Sequence, residues 1–189
     1  MKISKLFEND NIEAILKQYN IKNYTIRNNG IVDVDGDVNL YNRSLTALPV
    51  KFGYVDGYFS CCDNQLTSLV GSPTEVAGSF YCHYNQLTSL VGAPREVGGD
   101  FYCHYNQLTS LVGAPREVGG WFDCHHNQLT SLQGAPTEVG GNFWCDHNQL
   151  TSLVGAPREV GGDFWCYDNK FTSEPPHDFI NIGGRFNWK

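Results

Sequence analysis

The sequence predicts a mainly β solenoid, and three observations predict it. The segment Asn-Gln-Leu-Thr-Ser-Leu recurs from Asn64, Asn85, Asn106, Asn127 and Asn148, each start 21 residues after the last. Within each copy Val-x-Gly-x-Phe-x-Cys alternates with period two, as a strand with one buried face does. A period of 21 residues is too short for a strand plus a full helix, so the units stack in register and bury one another's apolar rows.

Composition narrows the function classes. Of 189 residues, 41% are apolar and 17% charged, which suits one folded unit rather than a disordered chain. No apolar run approaches the roughly 20 residues that span a bilayer, so no membrane partner is expected. Thirteen basic against 20 acidic residues give a net charge of −7. A nucleic-acid backbone binder needs a basic stripe, so no nucleic-acid partner is expected either. The opening segment, Met1 to Glu8, has no apolar core before acidic residues appear. A cytoplasmic location is therefore expected.

The elements follow in chain order. Residues 1–33 read as an N-terminal helix–hairpin cap. Asp10 and Glu13 have capping-box spacing, with Asp10 as N-cap. Ile12, Ile15, Leu16 and Tyr19 then keep helical spacing. Tyr24-Thr25-Ile26 and Ile31-Val32 flank Asn29-Gly30, a hairpin turn signal. Residues 34–189 read as the solenoid, with eight strand segments opening at Val34, Val55, Val76, Val97, Val118, Val139, Val160 and Ile182. At about 4.8 Å per coil they span roughly 40 Å. Gly113-Ala114-Pro115 and its equivalents punctuate a return arm expected to be extended or 3₁₀-like. Pro175-Pro176 interrupts the repeat, and the strand at 182–188 closes the far end.

Each recurring residue becomes a ladder. Cys61, Cys82, Cys103, Cys124, Cys145 and Cys166 alternate in phase with Val and Phe, so they are expected to be buried thiols. Reduced, buried thiols agree with a reducing compartment. Cys62 is expected to face outward as a reactive thiol. Asn64, Asn85, Asn106, Asn127, Asn148 and Asn169 sit where the strand bends, and their amides are expected to satisfy backbone groups stranded by the bend. Glu75, Glu96, Glu117, Glu138 and Glu159, with Arg95, Arg116 and Arg158 beside three of them, read as a solvated rim.

Phe101-x-Cys103-x-x-Asn106-x-Leu108-x-x-Leu111 resembles the leucine-rich repeat pattern L-x-L-x-x-N-x-L-x-x-L, with Phe and Cys replacing two leucines. The repeats resemble the short ones of secreted bacterial effectors. The whole chain is similar to leucine-rich repeat proteins of tailed bacteriophages. The resemblance implies a right-handed coil with a parallel sheet on its concave face. It also implies action in the host cytoplasm on a host protein. The consensus leucine at the strand entry is missing, with Gly98, Gly119, Gly140 and Gly161 in its place, so the entry is expected to be bulged.

Function is read from what varies. The copies agree at inward and turn positions and differ at outward ones. Those carry Trp, Tyr, His and Asp where a solvated face would drift toward Lys, Glu, Ser and Thr. Exposed aromatic groups on a rigid sheet are what binding surfaces use. The expected partner-binding residues are Tyr81, His83, Asp100, Tyr102, His104, Trp121, Asp123, His125, Trp144, Asp146, Asp163, Trp165 and Tyr167. The partner is expected to be a protein with a basic, apolar patch. The alternative is a sugar or nucleotide on the same face. No cofactor is expected. No metal is expected either, because the His83, His104 and His125 ladder lies on an open face without evident supporting groups. Protonation of that ladder is expected to change partner binding between about pH 5 and 7. No nucleophile–base–orienter set stands out from the periodic background, so no enzyme is expected. A monomer is expected.

Overall fold

The computed structural model describes residues 3–189, with side chains described from residue 11 onward. It is a β solenoid of about seven turns, with parallel sheets and one helix at the N-terminal end. Helix α1 (Ile3–Gln18) is followed by hairpin strands β1 (Tyr24–Ile26) and β2 (Val32–Val34). Each later coil then adds one short strand to each of two sheets.

The helix starts earlier than its spacing suggests. It runs through Asp10, so Asp10 is not its N-cap. An N-cap residue must leave helical geometry, and no glycine or proline between Ile3 and Asp10 stops the helix from propagating back. Its end is sharply defined. Asn20 is left-handed (φ 56°), the Ile21 N–H donates to the Leu16 carbonyl at 2.9 Å, and the Asn20 N–H donates to Lys17 at 3.0 Å. This is a Schellman stop, with Leu16 and Ile21 making its apolar contact in the core. Strand β2 pairs antiparallel with β1 and parallel with Phe52–Val55, so it straddles the expected boundary at 33/34. Hairpin and solenoid thus share one sheet.

Each coil divides where the sequence suggests one strand. Glu96–Val97 belongs to the first sheet and Phe101–Tyr102 to the second, with a bend at Gly98-Gly99-Asp100 between them. The same division recurs from Val34/Val38 to Ile182/Phe186. Glycine permits it: a Cβ on Gly119 would overlap the Gly98 carbonyl of the preceding coil. The return arm turns at Leu111–Ala114, where Gly113 takes φ 97° and the Ala114 N–H donates to Leu111 at 2.9 Å, a type II turn.

The core is a set of ladders. Phe80, Phe101, Phe122 and Phe143 are fully buried and stack with centroids 5.3–5.4 Å apart. The cysteine column and both leucine columns are buried alongside. At the far end the His177 ring lies on Phe186 at 3.8 Å, with Ile180 buried nearby. Among the described residues no helix is long and apolar enough to cross a membrane.

The asparagine column does what the bend requires. The Asn106 amide nitrogen donates to the carbonyls of Cys82 and Cys103, each at 3.1 Å, and its oxygen accepts the Leu87 N–H at 2.9 Å. Each such amide ties its own coil to the preceding one. The residue just before each asparagine bends the chain by taking left-handed geometry: Tyr84, Tyr105, His126 and His147 have φ of 48–52°.

Candidate functional site

The outer face of the second sheet carries most of the variable side chains, and parallel in-register pairing makes neighbours of residues 21 apart, such as Tyr81 and Tyr102. Tyr81 and Tyr102 meet edge to face at 5.4 Å. Trp121 lies 5.4 Å from Trp144, and Trp144 lies 6.4 Å from Trp165, which touches Tyr167 at 6.0 Å. The imidazoles of His83, His104 and His125 stack at 4.5 and 4.6 Å. The structure therefore brings most of the expected residues into one continuous surface.

The surface is less open than the alternation implies. Trp121 is exposed, whereas Tyr81, Tyr102, Trp144 and Trp165 are half-buried because each ring shields the next. Asp123 and Asp146 are buried, at 4% and 5% exposure. Cys62 is buried as well, with its sulfur 3.2 Å from the Ser60 hydroxyl. Burial pushes its thiol up from the ordinary range, so the outward reactive thiol expected at this position is not found. Ser60 is small enough for the chain to close over Cys62, which alternation alone does not reveal.

Asp100 and Asp163 have a duty in the fold. One carboxylate oxygen of Asp100 accepts the Trp121 N–H at 2.8 Å, and one of Asp163 accepts the Arg185 N–H at 2.7 Å. Ser79 and Asn142 do the same for Asp100 and Asp163. This column ties the corner of each coil to the next. The second oxygen of Asp100 accepts from the Tyr102 hydroxyl at 3.4 Å.

Two polar clusters sit among the rings. Asp123 lies between two histidines, with Oδ1 2.5 Å from His125 Nδ1 and Oδ2 3.1 Å from His104 Nδ1. The first contact is a hydrogen bond. The second is close enough for an ion pair but poorly aligned for a hydrogen bond, so buried His104 Nδ1 is only weakly satisfied. Burial works against the Asp123 carboxylate, but the two histidines outweigh it and hold its pKa at about 2. Burial also lowers His125, and Asp123 more than reverses that, so His125 is raised. At His83 the Asp123 charge is too weak to offset burial. Burial, reinforced by His104, lowers it to about 4. In the second cluster His147 bridges two carboxylates, Asp146 at 2.8 Å and Asp168 at 3.2 Å.

Beside the second cluster a cavity of about 250 Å³ is lined by His125, His126, Trp144, Asp146, His147, Trp165 and Tyr167. The indole nitrogens of Trp144 and Trp165 are buried and have no partner among the described residues. A larger depression of about 550 Å³ runs along the first sheet between the glutamate column and the glycines beside it. It exists because glycine has no side chain to fill it, and it gathers no aromatic group.

The column Tyr84, Tyr105, His126 and His147 varies outward in the sequence but is absent from the expected partner-binding residues. Its rings stack at 4.5, 4.4 and 4.1 Å and extend the aromatic surface around the bend. The signal was an aromatic or imidazole identity at a fixed offset in four successive copies. Among the described residues, those with metal-ligand chemistry gather in two groups, Cys62–Asp63–His83 and His104–Asp123–His125, with the ligand atoms of each group within 4.8 Å of one another.

A comparison with known protein families and with curated proteins finds no match to this chain.

Proposed function

We propose that this protein is a non-enzymatic recognition module that binds a protein partner on the outer face of its second sheet. One observation carries the reading. Coils that agree at inward and turn positions differ at outward ones, and those differing side chains form one ring-rich surface from Tyr81 to Tyr167. Packing does not demand that difference, and large rigid rings supply contact area at little entropic cost. Trp121, Trp144, Trp165, Tyr81 and Tyr102 are the anchors. The net charge of −7 favours a partner with a basic, apolar patch.

The tandem Phe-x-Cys-x-x-Asn-x-Leu-x-x-Leu motif supports a short leucine-rich repeat protein. Resemblance to phage repeat proteins supports a phage-encoded modulator of a host protein, such as a defence factor, acting in the host cytoplasm. Site-specific photo-crosslinking in bacterial extract tests the reading. A crosslinking residue in place of Trp121 should trap a partner whose basic segment carries the crosslink, and one in place of Thr109 on the return arm should not. Trapping from Thr109 alone would refute it.

A second reading rests on the cavity beside Trp144 and Trp165. Two unpartnered indole donors suit a small ligand with acceptor oxygens, such as a sugar or nucleotide. Thermal shift against sugar and nucleotide panels separates the two.

A further inference from the structure

We propose that His104, Asp123 and His125 form a binding site for a divalent late first-row transition metal ion, with zinc(II) the preferred ion. The site joins two adjacent coils. His104 comes from one, and Asp123 and His125 come from the next. Both imidazoles turn Nδ1 toward the same carboxylate, at 3.1 and 2.5 Å. The ligand atoms already lie within 4.8 Å of one another, so little movement opens them to Zn–N and Zn–O distances of about 2.0–2.2 Å.

Four features favour an ion over a plain hydrogen-bonded triad. His104 Nδ1 is buried, and its 3.1 Å contact with Asp123 is poorly aligned for a hydrogen bond. A buried nitrogen with a poorly aligned partner is costly, and a metal bond would satisfy it. Asp123 is itself buried, so the face is not open at this point, contrary to the basis on which no metal was expected. Rings wall the site: His83 stacks on His104 at 4.5 Å, Tyr105 meets His125 edge-on at 5.2 Å, and Trp144 does so at 6.3 Å. The backbone beneath is fixed, since the Cys103 N–H donates to the Asp123 carbonyl at 2.9 Å.

The donor set selects the class of ion. Two imidazoles and one carboxylate suit zinc and its neighbours better than calcium or magnesium, which require oxygen ligands. Zinc has no d-electron geometry to satisfy, so it accepts three protein ligands and one water. The adjacent group Cys62–Asp63–His83 is the weaker candidate, because its buried thiol resists the deprotonation that a metal requires.

Titration calorimetry with zinc chloride on the full chain, previously treated with a chelator, tests this. Cobalt(II) absorption supplies an independent reading of the coordination sphere. The expected result is one equivalent bound, a rise in unfolding temperature with zinc, and cobalt bands of a nitrogen–oxygen set. His125→Ala and Asp123→Asn should each weaken binding by more than about 100-fold. His104→Gln serves if either variant fails to fold. His126→Ala and Cys62→Ser should bind as the wild type does. No saturable binding of zinc would overturn the proposal. So would binding that survives His125→Ala and Asp123→Asn but is lost in Cys62→Ser. Neither result bears on partner capture, because the ring surface does not depend on the ion.

Discussion

Replacing Asn106 by alanine should be among the most damaging single changes in the protein. Asn106 is 9% exposed. Its oxygen is the partner of the Leu87 N–H, so the variant orphans a buried donor, at about 1–3 kcal/mol. The carbonyls of Cys82 and Cys103 each lose one of two amide donors, keeping Asn85 and Asn127 respectively. At about 0.5–1 kcal/mol apiece, the sum is about 2–5 kcal/mol, a large share of a typical stability of about 5–15 kcal/mol. Asn106→Asp should do no better at neutral pH, because a carboxylate cannot donate to those carbonyls and faces them with negative charge. Asn169, the half-buried last member of the column, makes matching bonds to Cys145, Cys166 and Leu150. Water can replace it there, so Asn169→Ala should cost about 1–2 kcal/mol. Urea unfolding followed by far-ultraviolet circular dichroism reads these differences, with exposed Gln107→Ala as reference. The reasoning is refuted if Asn106→Ala unfolds within about 0.5 kcal/mol of Gln107→Ala, or if Asn169→Ala costs as much as Asn106→Ala.

Three further outcomes follow from the same geometry. Gly140→Ala places a Cβ against the Gly119 carbonyl and should cost about 1–3 kcal/mol in urea unfolding, whereas Ala77→Gly at the equivalent position should cost less than about 1 kcal/mol. None of the seven thiols, Cys62 included, should react with an aromatic disulfide reagent until the protein unfolds, since all are buried; labelling of Cys62 in the folded protein at the unfolded rate would contradict this. The metal-free protein should lose stability in acid in two windows. His83 is depressed from 6.5 to about 4, so between those values the unfolded chain takes up a proton that the folded one refuses, and stability falls as pH falls. Asp123 is depressed from 3.8 to about 2, so its contribution of about 2 kcal/mol is present above pH 3.8 and lost as pH falls toward 2. His83→Phe should flatten the first window in unfolding measured across pH, and an unchanged slope would remove His83 as the cause.

Much of the fold was legible because each ladder repeats a residue with one physical task. Phe101, Cys103, Leu108 and Leu111 are buried as their period implies, and Asn106 satisfies the bend that its position marks. The division of each coil was not legible. Val97, Phe101 and Cys103 keep the same alternation whether or not the chain turns at Gly98-Gly99, because glycine prefers neither face. The helix start was misread because Asp10 and Glu13 satisfy a local capping pattern that the chain does not use. In the candidate site, the columns could be read but their depth could not. Asp123 is covered by side chains from neighbouring coils, and which rings close over it depends on three-dimensional stacking. Cys62 is buried for the same kind of reason, beside a small serine rather than a tyrosine or tryptophan. The corner duty of Asp100 and Asp163 was present as Ser79, Asn142 and two aspartates in one column, a pattern that Tyr58 and Trp121 obscured.

The most direct measurement of the central claim is the affinity of the crosslinked partner, once purified, for the double variant Trp144→Ala with Trp165→Ala. Two anchors worth about 2 kcal/mol each predict a loss of about 1,000-fold with the circular dichroism of the solenoid unchanged. Undiminished affinity in that variant, together with its loss in Glu96→Arg or Arg116→Glu, would place the interface on the glutamate rim and contradict the account.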